Sequence, residues 1–249
     1  MSDQAPRISI IIPAKNEEVR LPASLREIRR IFPGEPWEIL LVIEPGTDRT
    51  AEVARQEIRG DPRFQIVENP DAHGKGFAVK TGMLKARGEW VFFMDADLSV
   101  PLRCVKEFLR FTDGADVLMG SRRHPDSRIV HRQPLAREVA GRIFNRILRA
   151  VGATHFSDTQ CGFKAFRREA AREIFSRVEQ TGFGFDVEVM ALAQGLGFRI
   201  KELPVEWADA PGSQLKPLRH GVTALLEAIL AVRRVRRNYG FDAKSRSQH

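Results

Sequence analysis

Asp95 and Asp97 stand one residue apart, directly after the apolar run Trp90-Val91-Phe92-Phe93-Met94. Two carboxylates so spaced can share one divalent ion, with Ala96 between them leaving room for a ligand. Mg²⁺ and Mn²⁺ take oxygen donors and commonly bridge one or two carboxylates to substrate phosphates. The plain alternative is a pair of acids that caps the loop before a helix near Pro101. Gly74-Lys75-Gly76 can cradle a phosphate at a helix N-terminus. It lacks the full P-loop pattern, and a tight turn with a surface lysine gives the same string. Asp186 and Glu188 are candidate general bases for a hydroxyl substrate. They are equally two acids answering the dipole of a helix that opens near Phe185. Asp158 either touches a substrate or caps a turn. Cys104 and Cys161 lie too far apart for a zinc pattern, and Cys161 reads as a small packed residue. His73, His124 and His131 show no ligand spacing and read as surface residues.

These residues need a scaffold, and the first half of the chain supplies a regular one. Short apolar runs at Ile8–Ile12, Glu38–Ile43, Phe64–Val67, Glu89–Met94 and Asp116–Met119 read as strands. Helical spacing separates them at Glu18–Ile31, Asp48–Ile58, Gly76–Ala86 and Pro101–Phe111, with Asp48 as an N-cap and Pro101 at a first helical position. Alternation of this kind, with strands apolar throughout, predicts an α/β fold: a mostly parallel sheet covered by helices on both faces. Ligands in such sheets bind beyond the carboxyl ends of the strands, where Asp95 and Asp97 fall. The second half is less regular. Helices are expected at Leu135–Val151, Arg168–Ser176, Phe185–Gln194 and Pro217–Arg237, a strand at Phe198–Leu203, and a short strand or turn at Gln160–Phe166.

The 249 residues suit a single domain and carry a net charge of +8. That charge is unevenly placed. Ser121–Arg149 holds eight Arg and two acids, and Leu215–His249 holds eight basic residues and two acids, so each zone is +6 and the remainder is −4. Basic zones meet nucleic acid, nucleotide diphosphates or anionic lipid, or are simply solvated. Nucleic acid is disfavoured because the zones lack interleaved aromatics, with only Phe144 and Phe156 near the first. No apolar stretch reaches the roughly 20 residues that span a bilayer. The N-terminal MSDQAPR has no apolar signal core, and two distant cysteines suit a reducing, cytoplasmic setting.

Taken together the motifs gain specificity. Ile10-Ile11-Ile12-Pro13-Ala14-Lys15-Asn16-Glu17-Glu18 ends the first strand, and Gly74-Lys75-Gly76-Phe77-Ala78-Val79-Lys80-Thr81-Gly82-Met83 opens the helix after the third. Gly120-Ser121-Arg122 ends the fifth, followed by Asp158-Thr159-Gln160-Cys161-Gly162-Phe163-Lys164 and Phe185-Asp186-Val187-Glu188. In this order they resemble the glycosyltransferase family 2 enzymes, over roughly residues 8–237. Within the family they are similar to the dolichyl-phosphate glucose and mannose synthases, nearer the glucose branch through the 158–164 stretch.

The resemblance implies a GT-A fold, a single Rossmann-like domain over 1–249. Its parts would be a nucleotide-sugar half (8–120), an acceptor-side half (121–216), a basic amphipathic helix (217–238) and a tail (239–249). It implies an inverting transfer of a hexose, glucose from UDP-glucose above all, to a polyprenyl or dolichyl phosphate, with Mg²⁺ or Mn²⁺ as cofactor. Pro13, Lys15 and Glu17 match the segment lining the nucleotide, and Glu44 the acid near base or ribose. Asp95, Ala96 and Asp97 match the metal and diphosphate site, and Ser99 the position beyond it. Arg122 matches a donor-phosphate contact and Arg137 an arginine facing the acceptor phosphate. Gln160 and Lys164 belong to the 158–164 motif on the substrate side.

Departures are visible too. The family's D-D-G-S turn is here Ile43-Glu44-Pro45-Gly46, Gly141 replaces a serine, and G-S-K-L becomes Gly212-Ser213-Gln214-Leu215, with Lys216 two positions on to supply the charge. Transfer to a hydroxyl and use of GDP-mannose are the alternatives within the same fold. An acceptor phosphate is already anionic, so orientation by arginines suffices, whereas a hydroxyl needs Asp186 or Glu188 as base. A polyprenyl phosphate lives in a membrane. The Pro217–Arg237 helix, with an apolar stripe at Val222, Leu225, Leu226, Ile229 and Leu230 and a basic end, either lies on an anionic lipid surface or packs on the domain. The expected location is the cytoplasmic membrane face, held peripherally, with a small membrane-embedded protein as a further candidate partner.

Overall fold

The computed structural model describes residues 6–32, 36–182, 184–209 and 217–240, the side chains of 217–222 excepted. Nine strands and eight α-helices are described in it. The first half runs β1 (Ile8–Ala14), α1 (Leu21–Ile31), β2 (Trp37–Ile43), α2 (Thr50–Glu57), β3 (Phe64–Glu68), α3 (Lys75–Lys85), β4 (Trp90–Met94), α4 (Arg103–Phe108) and β5 (Val117–Ser121). The second half runs β6 (Arg128–His131), α5 (Leu135–Ala150), β7 (Phe163–Arg167), α6 (Arg168–Arg177), α7 (Phe185–Gly195), β8 (Ile200–Pro204), β9 (Glu206–Ala208) and α8 (Pro217–Tyr239).

Seven strands form one sheet in the order β3-β2-β1-β4-β7-β5-β8. All run the same way except β7, which is antiparallel to both β4 and β5. The expected mostly parallel sheet is thus present, and the ambiguous 160–166 segment supplies its one reversed strand. Alternation along β1 explains the two covered faces. Ile10 and Ile12 face α1 and α4 through Leu21, Leu25, Ile28, Val105 and Phe108. Ile11 faces α3, α6, α7 and α8 through Val79, Phe175, Val189 and Val232. A strand with both faces covered must be apolar at every position, and β2 and β4 are fully buried.

Several details differ from expectation, among them α1, which opens at Leu21 rather than Glu18. Helix α4 opens at Arg103, because the peptide after Pro101 first closes a turn in which Cys104 N–H donates to the Pro101 carbonyl at 2.9 Å. The N-cap of α2 is Arg49 rather than Asp48, whose carboxylate one residue earlier accepts Thr50 N–H at 3.0 Å, Thr50 Oγ1 at 2.6 Å and Glu18 N–H at 2.9 Å. The small parallel sheet of β6 and β9 was not expected. All four residues of β6 are exposed, so it lacks the apolar alternation that marks a strand.

Candidate active site

Strand β4 ends at Met94 and delivers Asp95 and Asp97 at its carboxyl end. The loop that follows is pinned at three points. The Ala96 carbonyl accepts Ser24 Oγ of α1 at 2.5 Å, the Asp95 carbonyl accepts Leu98 N–H at 3.2 Å, and Leu98 turns the chain with φ of 52°. Asp97 Oδ1 accepts both the N–H and the hydroxyl of Ser99, at 3.0 and 2.7 Å. Ser99 therefore orients a carboxylate. Asp95 and Asp97 side chains keep 35% and 17% of their surface, enough for their oxygens to reach a ligand. Gly162, just before β7, makes room for Asp95: a Cβ there would sit 2.1 Å from Asp95 Oδ2.

Glu17 adds a third carboxylate to this mouth. Its oxygens take Arg20 Nε at 2.7 Å and Nη2 at 2.5 Å, and Arg20 Nη1 lies 3.7 Å from Asp97 Oδ2. Burial raises the Glu17 carboxyl above the usual range despite Arg20, and the charges of Asp97 and Asp95 push the same way. Three carboxylates thus share this mouth with the guanidinium of Arg20, which leaves it short of positive charge.

Lys75 meets part of that need. Its Nζ lies 2.6 Å from Asp95 Oδ1. Burial works against its charge, but Asp95, Asp186 and Asp97 together hold its pKa above the ordinary lysine value. Three contacts fix its position at the first residue of α3. Gly74 takes φ of 107°, a conformation costly for a side chain, with the Thr181 carbonyl where a Cβ would be. Gly76 N–H donates to that same carbonyl at 2.8 Å. The buried Glu44 carboxylate accepts the N–H groups of His73 and Gly74 at 3.0 to 3.1 Å. Glu44, expected near a base or ribose, spends both oxygens on the turn that presents Lys75.

Behind Lys75 lies a buried ion pair. Lys164 of β7 is fully buried, with Nζ 2.5 Å from Asp186 Oδ1, 2.7 Å from the Cys161 carbonyl and 5.0 Å from the Phe93 ring centroid. Burial raises the Asp186 carboxyl, against the pull of Lys164 and Lys75. Asp95, Lys75, Asp186 and Lys164 thus form a ladder of alternating charge running from the open mouth into the core. Cys161 is a buried thiol pushed up to about 12, mainly by burial, which fits a packed residue rather than a nucleophile.

Arg122, at the end of β5, is gripped by Asp158. Nε and Nη2 donate to the two carboxylate oxygens at 2.6 and 2.7 Å, and Arg122 N–H donates at 3.1 Å. Burial would raise the Asp158 carboxyl, but the Arg122 charge and hydrogen bonds hold it below the usual range. The guanidinium lies 5.5 Å from the Trp207 ring centroid. Asp158 is therefore the holder of an arginine, not a turn cap.

Other expected residues fall elsewhere. Glu188 is fully buried and accepts Glu179 N–H at 3.1 Å and Gln180 N–H at 2.7 Å, besides pairing with Arg234 of α8. It ties a loop to a helix and is corrected from a substrate contact or base to a structural acid. Arg137 pairs with Asp209 at 3.5 Å, outside the charge ladder. Pro13 and Gln160 are partly buried, and Lys15 is exposed just past β1. Ser213 and Lys216 lie outside the described residues. Sequence reasoning missed Arg20, Ser24 and Gly162 as site-builders. Gly162 lay inside the quoted motif, but nothing local marked Arg20 or Ser24.

Residues 9–175 match the family model described as Glycosyl transferase family 2. The chain belongs to this family. The dolichyl-phosphate beta-glucosyltransferase of Dictyostelium discoideum is 31% identical over 233 residues, covering 86% of this chain and 70% of that protein. The enzyme of the same name from Drosophila melanogaster is 32% identical over 229 residues, 84% of this chain and 69% of its own. Among solved structures, glucosyl-3-phosphoglycerate synthase from Mycobacterium tuberculosis, in complex with Mn²⁺, uridine diphosphate and phosphoglyceric acid, superposes with a TM-score of 0.67. That match is 18% identical and covers 92% of this chain and 78% of the other, so it is a likeness of fold, GT-A. This family 2 glycosyltransferase therefore has the expected architecture.

Proposed function

We propose that this enzyme transfers glucose from UDP-glucose, with inversion, to the phosphate of a polyprenyl phosphate such as dolichyl phosphate. The observation that carries the acceptor class is the commitment of both candidate bases. Asp186 faces Lys164 at 2.5 Å with its side chain 7% exposed, and Glu188 is spent on two N–H groups and Arg234. A hydroxyl acceptor needs a free base near the reacting oxygen. A phosphate monoester, with a second pKa of about 6, is already a nucleophilic anion at neutral pH. The names of the relatives support both the glucosyl group and the dolichyl phosphate.

The residues at the mouth fit a divalent ion. Asp95 and Asp97 are hard oxygen donors, partly open, beside the third carboxylate of Glu17. Among the described residues no group of three His, Cys, Asp or Glu could enclose a metal by itself. A site completed by donor phosphates suits Mg²⁺ or Mn²⁺, and the solved complexes of the mycobacterial synthase hold Mn²⁺ or Mg²⁺ with uridine diphosphate. The ion would supply positive charge to the departing diphosphate.

The chain's own residues do the rest. Lys75, at the positive end of α3, can grip the donor diphosphate. Arg122, locked by Asp158, is a fixed cation beside it, and such preorganised charge lowers the barrier as the leaving group turns negative. Pro13, Lys15 and Glu17 line the nucleotide side. Arg137, Gln160, Ser213 and Lys216 serve the acceptor side. The prenyl tail fixes the workplace at a bilayer. No helix among the described residues is long and apolar enough to cross a membrane. The reading places the enzyme peripherally on the cytoplasmic face, where two free buried cysteines are at home.

The test supplies the purified enzyme, Mg²⁺ or Mn²⁺ and UDP-glucose with either a polyprenyl phosphate or the corresponding polyprenol. Glucosylation of the phosphate alone is expected. Equal rates on the alcohol would defeat the base-free reading.

A further inference from the structure

Helix α5 is apolar on the wrong side for a helix of a closed domain. Its inward side places Asn145 and Leu148 in the interior, with Phe144 against the core. The opposite side exposes Leu135, Val139, Ile143 and Ile147, followed by Val151 just past its end, at 75%, 43%, 53%, 36% and 49%. Strand β6 adds exposed Ile129 and Val130 three residues before the helix. Along one flank of the stripe stand exposed Arg142, Arg146 and Arg149. From Arg128 to Arg149 the chain holds six arginines and one acid, Glu138, which pairs with Arg142.

The sequence leaves α8 open between a lipid surface and packing on the domain. The structure turns most of that helix inward. Ala228, Ala231, Val232 and Val235 are buried, and Leu225 and Ile229 pack against the core. Its basic end is partly spent on protein: Arg234 pairs with Glu179 and Glu188, and Arg236 donates to the Gly152 carbonyl. Only Leu226 and Leu230 are large apolar residues exposed on its described part.

We propose that β6 and α5 form the surface by which this enzyme seats on an anionic bilayer. Leu135, Val139, Ile143 and Ile147 enter the boundary between headgroups and acyl chains, and Arg142, Arg146 and Arg149 meet lipid phosphates. Two observations select a bilayer over a second copy of the chain. A two-fold contact through α5 would set this arginine-rich patch against its own copy, with one acid per copy to relieve it. The apolar residues also recur strictly every four positions, so the stripe drifts about 40° per step around the helix. That gives a broad apolar sector suited to an interface plane, not the narrow seam of a helix pair. The surface rests on the polyprenyl-phosphate reading for its purpose: Arg137, in the first turn of α5, would be brought to the headgroup layer where the acceptor phosphate lies.

The test is vesicle co-sedimentation of the full chain, with phosphatidylcholine vesicles and with phosphatidylcholine–phosphatidylglycerol vesicles. Wild type should bind the anionic vesicles, more weakly at raised salt. Ile143→Gln/Ile147→Gln should weaken binding on the order of 10- to 100-fold through lost apolar burial, with its melting temperature unchanged. The matched pair Leu226→Gln/Leu230→Gln should bind nearly as wild type. Failure of wild type to bind, full binding by the α5 variant, or an equal loss in the α8 variant would each overturn the proposal. So would a wild-type dimer that the α5 variant splits. Transfer to a short-chain, water-soluble polyprenyl phosphate, measured on wild type, keeps the two readings apart. Vesicle binding without such transfer upholds the surface and removes the acceptor reading.

Discussion

Gly162→Ala separates catalysis from stability in one substitution. An added Cβ would lie 2.1 Å from Asp95 Oδ2, 2.6 Å from Cγ and 2.9 Å from Oδ1. Ordinary contact begins near 3.4 Å, so the carboxylate must retreat by about 1.3 Å in a packed setting. That motion takes Oδ1 away from Lys75, now 2.6 Å distant. A misplacement of about 1 Å at a reacting centre costs roughly 100-fold in rate. The fold should barely notice. Gly162 is not among the residues with positive φ, the displaced group is partly exposed, and Gly-to-Ala exchange gains about 0.4–1 kcal/mol from the unfolded chain. Net stability should stay within about 1 kcal/mol, or about 2–4 °C in Tm. Initial rates of glucosyl transfer across a metal titration, beside urea unfolding, make the comparison. A folded Ala variant with wild-type rates would refute the reasoning about Asp95.

Three further outcomes are expected. Lys164→Met leaves Asp186 buried without its main cation and should cost about 3–5 kcal/mol in urea unfolding, with Lys164→Met/Asp186→Leu recovering much of the loss. Asp158 is held below the usual carboxylate range, so its contribution is present above about pH 4 and fades as pH falls through its folded pKa. The stability gap between wild type and Asp158→Asn, about 3 kcal/mol at neutral pH, should therefore close in acid; a constant gap would remove the Arg122–Asp158 pair as its source. Chelation should abolish transfer while leaving Tm unchanged, because Lys75 already pairs with Asp95, and Mg²⁺ or Mn²⁺ should restore it. Transfer that survives exhaustive chelation would rule out the ion.

Much of the fold could be read from local pattern. Strands such as Ile39–Ile43 and Val91–Met94 are apolar throughout because both faces are covered, and the aspartates after β4 stand out for the same reason. What stayed hidden was partnership. Arg122 finds Asp158 across 36 positions, and Glu188 finds Arg234 across 46. Nothing in the spacing distinguishes an acid that will hold a neighbour from one that will meet a substrate, so Asp158 and Glu188 stay open between the two in the sequence, and Glu44 is matched to a ligand by resemblance alone. The helix faces misled differently. Apolar periodicity marks a stripe without saying whether it turns to the core or to the outside. In α8 the expected stripe is split, with Leu225 and Ile229 against the core and Leu226 and Leu230 exposed, and in α5 a stripe faces out.

The central claim is glucosyl transfer from UDP-glucose to a lipid phosphate. The direct measurement incubates the enzyme with dolichyl phosphate in anionic vesicles, a divalent ion, and UDP-glucose or GDP-mannose labelled in the sugar, then counts label in the organic phase. Lipid-linked glucose from UDP-glucose, and no lipid-linked mannose, is the expected result. Label from GDP-mannose alone, or donor hydrolysis with no lipid-linked sugar from either, would contradict it.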